Sequence, residues 1–422
     1  MLDLRPAYNK DERSALSVAA LYGANAAGKT TVLAALRFMH DAVLEQNNNW
    51  RPGKKIPRYP FMLDEVSPER PSSFQVELLL DGVRYAYGFT IDDEKVLEEW
   101  CISYPKKQPR RLFERDGDGI NFGVTTNNSK SELLAEITPA NMLFISTAAR
   151  SKDNAFTPVY RWFSEKLWFL NPEDDSRYAH DLTSRLLRRS GDSEDVLSLL
   201  RFADLGIAAV ETTAPVHDFK IGGKTPAKVR MVSPDGRQID FTFDGEEEDL
   251  RHFLEYGNIE QRLRFTHAGV VNSDFGFEDE SHGTRTWFKL VGITLEALRG
   301  GFTLVVDEID TSLHPLLVAR LIRLFQDPSI NVNSSQLVLS THDTSLMGRH
   351  GGEELLRRDE VWFVEKDHQT GASSLFSLTD FRPRDGLNWE RRYLGGAVGA
   401  VPFVDDERLV AAARSYAMTA DE

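Results

Sequence analysis

A glycine-containing segment near the beginning of the chain lies between an apolar run, Val18–Tyr22, and a helix-like pattern. Residues 23–30 read Gly-Ala-Asn-Ala-Ala-Gly-Lys-Thr and fit GxxxxGK[ST]. In such a loop, successive N–H groups point at phosphate oxygens, Lys29 adds a positive charge and the Thr30 hydroxyl can bind Mg²⁺. The alternative is a strand-to-helix turn without a ligand. We predict that a nucleoside triphosphate binds at Gly23, Asn25, Ala26, Ala27, Gly28, Lys29, Thr30 and Thr31.

Two acidic residues follow a second apolar run. Phe302–Val306 is typical of a central parallel strand, and Asp307 and Glu308 come directly after it. Open α/β sheets bind their ligands at the carboxyl ends of strands. We therefore predict that Asp307 holds Mg²⁺ through water and that Glu308 is a catalytic residue, which polarises the water that attacks the γ-phosphate. A solvated strand end is the alternative.

The next residues resemble parts of the ATP-binding-cassette (ABC) type of ATPase. Ile309–Pro315 resembles the D-loop, which crosses a dimer interface, and its Asp310 is assigned to the nucleotide site. Ser340–Asp343 resembles the segment whose histidine reaches the γ-phosphate, which implies a catalytic role for His342. A histidine at a strand end would otherwise be interpreted as structural. The choice of ATP over GTP rests on this resemblance.

A third motif, Glu280–Arg285, precedes the helix that leads into the strand before Asp307. This is the place of the ABC signature, although the sequence is not the LSGGQ of transporters. ABC-type ATPases close two subunits around two nucleotides, and each signature contacts the other subunit's γ-phosphate. The resemblance implies that Ser281 and the Gly283 backbone bind phosphate in trans, within an ATP-dependent homodimer or higher oligomer. A simple serine N-cap followed by glycine is the alternative.

From about residue 16 to residue 404 these motifs resemble the RloA-like family of bacterial ATPases, which is similar to SMC and RecF-like ATPase heads. The most specific pieces are SxGTR at Ser281–Arg285, the acidic Asp307–Asp310 and Ser340–Leu346. The resemblance implies an ATP hydrolase that acts as a sensor or switch for an effector partner, a nuclease-like protein encoded nearby, in anti-phage defence. The alternative is a DNA-repair ATPase that binds DNA directly.

The chain departs from this family in two places. Family members begin with an extra strand, whereas Met1–Ser14 is polar and interrupted by proline. The family also carries a glutamine that meets Mg²⁺, and we predict that Arg150 occupies its place. Because arginine cannot ligate a cation, the metal would keep a water molecule there or Arg150 would contact phosphate directly.

Composition limits the partners. With 65 acidic against 50 basic residues, the net charge of -15 argues against a protein that coats nucleic acid with its whole surface. Local contact with nucleic acid remains open. The single Cys101 excludes a disulfide framework, and we find no signal peptide or membrane-length apolar run. We expect a cytoplasmic protein without a membrane partner. The basic clusters, for which a solvated surface is the favoured interpretation, are Lys106, Lys107, Arg110 and Arg111, and Arg185, Arg188 and Arg189.

The element pattern predicts an α/β fold, a P-loop NTPase of ABC type with a mixed or parallel central sheet, an antiparallel β subsheet and a largely helical insertion. A strand–turn–strand pattern covers Phe74–Phe89, and Asn141–Ser146 is predicted to be a buried strand. Helical periodicity from about residue 156 to 205 gives way to short strands from 210 to 243. We expect the domains to be 1–150 and 276–404 (the two parts of the ATPase head), 151–275 (the insertion) and 405–422 (a tail).

Overall fold

The structure of the chain is a computed structural model. It divides into two compact units, of which the first comprises Met1–Asn171, Ala297–Asp310 and Val318–Glu422 and the second Pro172–Glu296 and Thr311–Leu317. No helix among the described residues is both long and apolar enough to span a membrane. The structure describes residues 2–6, 15–44, 53–126, 128–149, 155–171, 177–189, 191–203, 206–213, 227–232, 238–243, 262–268, 273–382, 387–402 and 406–418.

The strands of the described residues form the sheets on which both units are built. In chain order they are β1 (Val18–Tyr22), β2 (Ser72–Leu80), β3 (Val83–Ile91), β4 (Val96–Tyr104), β5 (Arg110–Asp116), β6 (Gly119–Phe122), β7 (Leu167–Leu170), β8 (Ile207–Thr213), β9 (Ala227–Val232), β10 (Gln238–Phe243), β11 (Arg262–His267), β12 (Ser273–Gly276), β13 (Thr303–Val306), β14 (Gln336–Ser340), β15 (Arg349–His350), β16 (Glu353–Glu354), β17 (Val361–Lys366) and β18 (Ser373–Ser377).

The helices connect and cover these strands. The α-helices are α1 (Lys29–Leu44), α2 (Ser129–Glu136), α3 (Phe144–Ala149), α4 (Thr157–Arg161), α5 (Arg177–Arg188), α6 (Ser193–Phe202), α7 (His282–Gly300), α8 (Pro315–Gln326), α9 (Trp389–Leu394) and α10 (Asp406–Met418). Shorter helical turns are the π-helical Trp162–Lys166 and the 3₁₀ segments Ser67–Glu69, Phe277–Asp279, Thr344–Met347, Arg358–Glu360 and Leu378–Asp380.

The central sheet of the first unit has the order β18-β17-β1-β14-β13-β7. Each neighbouring pair is parallel except β17 and β18, which form an antiparallel hairpin at one edge. Every residue of β1 and β13 is buried, as expected of strands that are covered on both faces. The carboxyl ends of β1, β13 and β14 therefore lie at one edge of the sheet, where the glycine-rich loop, Asp307 and His342 follow them.

The second sheet of this unit is the antiparallel meander β2-β3-β4-β5-β6. Its first turn is Asp81-Gly82, where both residues have positive φ (50° and 74°), as a two-residue hairpin turn of type I′ requires. Buried aromatic side chains join the meander to the rest of the core, and the rings of Phe113 and Phe144 lie 4.8 Å apart. The α/β fold predicted from the sequence, with a mixed central sheet and an antiparallel subsheet, is confirmed.

The prediction of a strand at Asn141–Ser146 is wrong, because helix α3 begins at Phe144. The carboxylate of Glu99, on β4, accepts hydrogen bonds from the N–H groups of Phe144 (2.6 Å) and Ile145 (3.1 Å). These N–H groups belong to the first turn of a helix and have no partner within it. A short apolar run has the same pattern in a buried helix and a buried strand, and here a distant carboxylate decides between them.

The second unit begins with helices and continues with strands, in the order that the sequence predicts. Strand β11 pairs with β8 and β12, and β9 with β10, all antiparallel. Helices α5 and α7 meet at Gly292, where a Cβ atom would lie 2.2 Å from the hydroxyl oxygen of Thr183. That hydroxyl donates to the Phe288 carbonyl (2.9 Å), so glycine at 292 permits a close helix contact.

Candidate functional site

The glycine-rich loop connects β1 to α1 and has the backbone conformation of an anion-binding loop. Ala26 lies in the left-handed region (φ 61°) and Gly28 has φ 108°. Alternation of right- and left-handed residues turns successive N–H groups toward one side, where they form a concave site for an anion. The Ala27 N–H bonds the Ala24 carbonyl (3.1 Å), which tightens the turn before α1 begins at Lys29.

Lys29 is buried, and its ammonium group joins the loop to a distant strand end. Its Nζ atom donates to the carbonyl oxygens of Gly23 (2.9 Å) and Ala24 (3.4 Å) and lies 3.0 Å from Nε2 of His342. Because an ammonium group can only donate, Nε2 of His342 is its acceptor in the tautomer whose ring proton is on Nδ1. In that tautomer Lys29 has three acceptors within the protein.

The acidic residues after β13 face this lysine. Burial lowers the pKa of Lys29, while Glu308, Asp307 and Asp310 act in the opposite direction. A carboxylate oxygen of Glu308 lies 3.9 Å from Nε2 of His342. The charge of Lys29 is thus balanced by the carboxylates that follow β13. A phosphate group would enter a site that already holds charges of both signs.

Ser340, the last residue of β14, orders the acidic pair. Its hydroxyl donates to Asp307 and accepts the N–H of Glu308 (2.8 Å). Glu308 lies in the left-handed region (φ 52°), a conformation that side chains other than glycine rarely adopt. The backbone N–H of His342 donates to the Asp310 carboxylate, with its nitrogen 3.4 Å from Oδ1 and 3.3 Å from Oδ2. The two strand ends are thus joined by side-chain bonds as well as by the sheet.

An open pocket of about 680 Å³ lies over the loop, a volume typical of ligand sites. Of the residues predicted to bind within one copy of the chain, Gly23, Asp307 and Asp310 do not line the pocket. Gly23 accepts from Lys29 and Asp310 from the backbone of His342, while Asp307 accepts from Ser340, which also bonds Glu308. Motifs from three separate parts of the chain therefore meet at one place. The pocket is lined by Asn25, Ala26, Ala27, Gly28, Lys29, Thr30, Thr31, Glu308 and His342.

Oxygen donors near the pocket are of the kind that Mg²⁺ uses at nucleotide sites. Within the described ranges, no group of three or more His, Cys, Asp and Glu side chains is arranged to hold a metal ion. Magnesium at nucleotide sites uses one or two protein oxygens and takes its remaining ligands from phosphate and water. The Thr30 hydroxyl at the pocket and the Asp307 carboxylate after β13 fit that mode of binding.

Ser281 and Gly283 belong to the second unit. The Ser281 hydroxyl accepts the Thr284 N–H (3.2 Å) and is 2.9 Å from the Thr284 hydroxyl, so it caps the N-terminus of α7. A Cβ atom at Gly283 would lie 2.8 Å from the Ser312 carbonyl oxygen. The serine cap considered from the sequence is therefore present. Binding of phosphate in trans stays a prediction.

Ser340 and Ser373 were not identified as site residues from the sequence, and the structure does not test the prediction for Arg150. Ser340 was recognised only as part of a motif, although a small polar side chain at the end of an apolar strand, two residues before His342, offered a signal. Ser373 bonds the loop from the edge strand β18 and had no local signal, because it lies 346 residues from its partner. Arg150 lies outside the described residues.

Comparison with known proteins identifies the family. The AAA_21 family, described as "AAA domain, putative AbiEii toxin, Type IV TA system", matches residues 18–348, more than three quarters of the chain. The search of curated proteins found no match to this chain. The SMC head domain from Thermotoga maritima is similar at 14% identity and a TM-score of 0.35, covering 85% of this chain and 89% of that chain. The structure of the SmcHead bound to the C-winged helix domain of ScpA is similar at 12% identity and a TM-score of 0.33, covering 86% and 90%. The chain belongs to the AAA_21 family of AAA domains.

Proposed function

We propose that this protein is an ATP hydrolase whose nucleotide site is completed by a second copy of the chain, and that its opening and closing control an effector. The observation that carries the proposal is the convergence of Lys29, Glu308 and His342 on one pocket at the glycine-rich loop. Membership of the AAA_21 family supports nucleotide binding.

In the proposed mechanism each of these side chains has one role. The loop N–H groups and Lys29 hold the phosphates, and Lys29 exchanges one of its present acceptors for a phosphate oxygen. Glu308, 3.9 Å from His342, polarises the attacking water, and His342 is released from Lys29 to contact the γ-phosphate. Mg²⁺, held by Thr30 and through water by Asp307, would neutralise phosphate charge.

We place the second half of the site at the N-terminus of α7. The Ser281 side chain caps this helix, and the N–H groups of the first turn lack acceptors within the helix. A helix N-terminus carries partial positive charge and binds anions. A second copy would present these N–H groups to the γ-phosphate held by the first.

ATP turnover and oligomeric state test this model together. Glu308→Gln should bind ATP, lose turnover and elute as a dimer with ATP on a sizing column, because the closed state persists without hydrolysis. Adding Ser281→Arg to Glu308→Gln should return the eluted protein to a monomer without abolishing ATP binding. Turnover by Glu308→Gln at the wild-type rate would refute the role of Glu308, and an unchanged dimer in the double variant would refute the trans contact.

The effector we propose is a nuclease-like protein encoded nearby, in an RloA-like anti-phage system. The AAA_21 description names a toxin of a Type IV toxin–antitoxin system, which supports a defence role. Cells that carry both genes should resist phage, and Glu308→Gln should change that resistance as strongly as loss of the neighbouring gene does. Equal plaque counts with wild-type and Glu308→Gln protein would contradict control by ATP hydrolysis.

One observation favours direct DNA binding as a second candidate function. The meander brings basic side chains to one end of its sheet, where the Arg84 guanidinium stacks 3.9 Å from the Tyr104 ring. Strand pairing places Ser103 opposite Arg110, beside the turn that carries two lysines. Such a cluster in a chain of net charge -15 can bind a phosphate backbone locally. We call this cluster the basic sheet end: Arg84, Lys106, Lys107, Arg110 and Arg111.

DNA binding at the basic sheet end has a matched test. Reversing both lysines, Lys106→Glu with Lys107→Glu, should weaken duplex binding and reduce its dependence on salt. Reversing another exposed pair, Lys54→Glu with Lys55→Glu, serves as the control. No mobility shift of DNA by the wild-type protein at low salt, or equal loss in both pairs, would remove this candidate.

A further inference from the structure

The hairpin formed by β17 and β18 packs against the glycine-rich loop from outside the pocket. The Ser373 hydroxyl, at the start of β18, donates to the Ala27 carbonyl oxygen at 2.7 Å. A Cβ atom at Gly28 would lie 2.8 Å from the same hydroxyl oxygen, and one at Gly23 would lie 2.4 Å from the Val364 carbonyl oxygen. Both glycines of the loop are thus in close contact with the hairpin.

The bond from Ser373 fixes one peptide plane of the loop. In a trans peptide the carbonyl of Ala27 and the N–H of Gly28 point in opposite directions. A carbonyl held outward by Ser373 therefore directs the Gly28 N–H to the other side. Gly28, with φ 108°, has the conformational freedom that would otherwise permit this plane to rotate.

We infer that Ser373 is a positioning residue for the phosphate site, because it keeps the Ala27–Gly28 peptide in the orientation that offers N–H rather than C=O to the nucleotide. A carbonyl oxygen turned into the pocket would repel a phosphate. Ser373 acts through the loop backbone, so its loss should weaken nucleotide binding more than the chemical step. The inference rests on the proposed binding of ATP.

Ser374 is the matched control for Ser373. It is the next residue of β18, is also exposed, and pairs with Glu365 of β17. Successive side chains of a strand point to opposite faces, so Ser374 does not share the direction of Ser373. Threonine at 373 keeps a hydroxyl donor and suits a strand.

Calorimetry with ATP tests the inference on the full-length protein. Ser373→Ala should bind ATP roughly three- to tenfold more weakly, the factor that one neutral hydrogen bond contributes. Its KM should rise by a similar factor while kcat stays within about twofold. Ser373→Thr should recover most of the affinity and Ser374→Ala should match wild type. A purely structural defect would instead lower the unfolding temperature and the binding stoichiometry.

Three outcomes of the calorimetry would contradict the role of Ser373, and they differ in what they imply for the proposed function. If wild type binds ATP, Lys29→Ala does not, and Ser373→Ala binds within twofold of wild type, Ser373 does not position the loop and the proposed function stands. If threonine restores no more affinity than alanine, the hydroxyl is not responsible and the inference is also wrong. If wild type itself binds no ATP, the proposed function and this inference fail together.

Discussion

Glu99 is a buried carboxylate whose ionisation should make stability depend on pH. It accepts hydrogen bonds from the N–H groups of Phe144 and Ile145 and from the Tyr87 hydroxyl (3.1 Å). Burial raises the pKa of Glu99 from 4.5 to about 7, although the two backbone bonds, Arg115 and Tyr87 all lower it. Glu99→Gln keeps the size of the side chain and removes its titration.

The sign of the effect follows from proton uptake. Between pH 4.5 and about 7 the native protein holds a proton on Glu99 that the unfolded chain has released, so the free energy of unfolding falls as pH rises. The contribution is fully present below pH 4.5 and lost above about pH 7. At 1.36 kcal/mol for each pKa unit, the loss between pH 5 and pH 8 is roughly 2–3 kcal/mol.

Urea unfolding of wild type and Glu99→Gln at pH 5 and pH 8 measures this loss. Glutamine has one acceptor oxygen where glutamate has two, so one donor loses its acceptor at every pH. This loss changes the difference in unfolding free energy between the two proteins by the same amount at pH 5 and pH 8. Other titrating groups cancel in that difference, so wild type should lose about 2–3 kcal/mol more than the variant between pH 5 and pH 8. Glu98→Gln, an exposed neighbour on β4, should behave as wild type. A difference between wild type and Glu99→Gln that stays constant within about 1 kcal/mol would refute the reasoning.

Three further substitutions test the site and its surroundings. Lys29→Ala should abolish ATP binding by calorimetry, because it removes a charge-assisted contact to phosphate; unchanged affinity would contradict the assignment of the loop. Ser340→Ala should lower kcat about tenfold with little change in affinity, since the Glu308 N–H loses its acceptor; wild-type turnover would show that Ser340 does not order Glu308. Gly283→Ala should destabilise the protein by about 1 kcal/mol in urea unfolding, because its Cβ would meet the Ser312 carbonyl. A gain in stability, as for an exposed helical glycine, would mean that this contact relaxes freely.

Local pattern was sufficient for the loop and for the strands around it. The spacing of Gly23, Gly28 and Lys29 is typical of one loop conformation, and the largely apolar runs at β1 and β13 are long enough to be strands but short for helices. The acidic pair could be placed at a strand end for the same reason. The motifs predicted that each functional segment follows a strand. The sheet order β17-β1-β14-β13 brings the ends of these strands together.

Contacts between distant segments could not be predicted in this way. Lys29 and His342 are 313 residues apart, and the bond between them depends on β1 lying next to β14. Helix α3 was mistaken for a strand because Glu99, 45 residues earlier, supplies the acceptor for its first turn. The roles of Ser281 and Gly283 toward a second copy stay predictions, because they depend on contacts with another chain.

The position of β1 has a consequence for how the protein is made. Its hydrogen-bonding partners are β14 and β17, and the loop after it is held by Ser373, 346 residues beyond Ala27. A ribosome that adds about 5–20 residues per second needs on the order of 20–70 seconds to cover that distance. Until β14 has been made, the apolar residues of β1 have neither of these partner strands to pair with and are open to aggregation or to chaperones. The bond from Ser373 to the loop can therefore form only after synthesis has passed the start of β18.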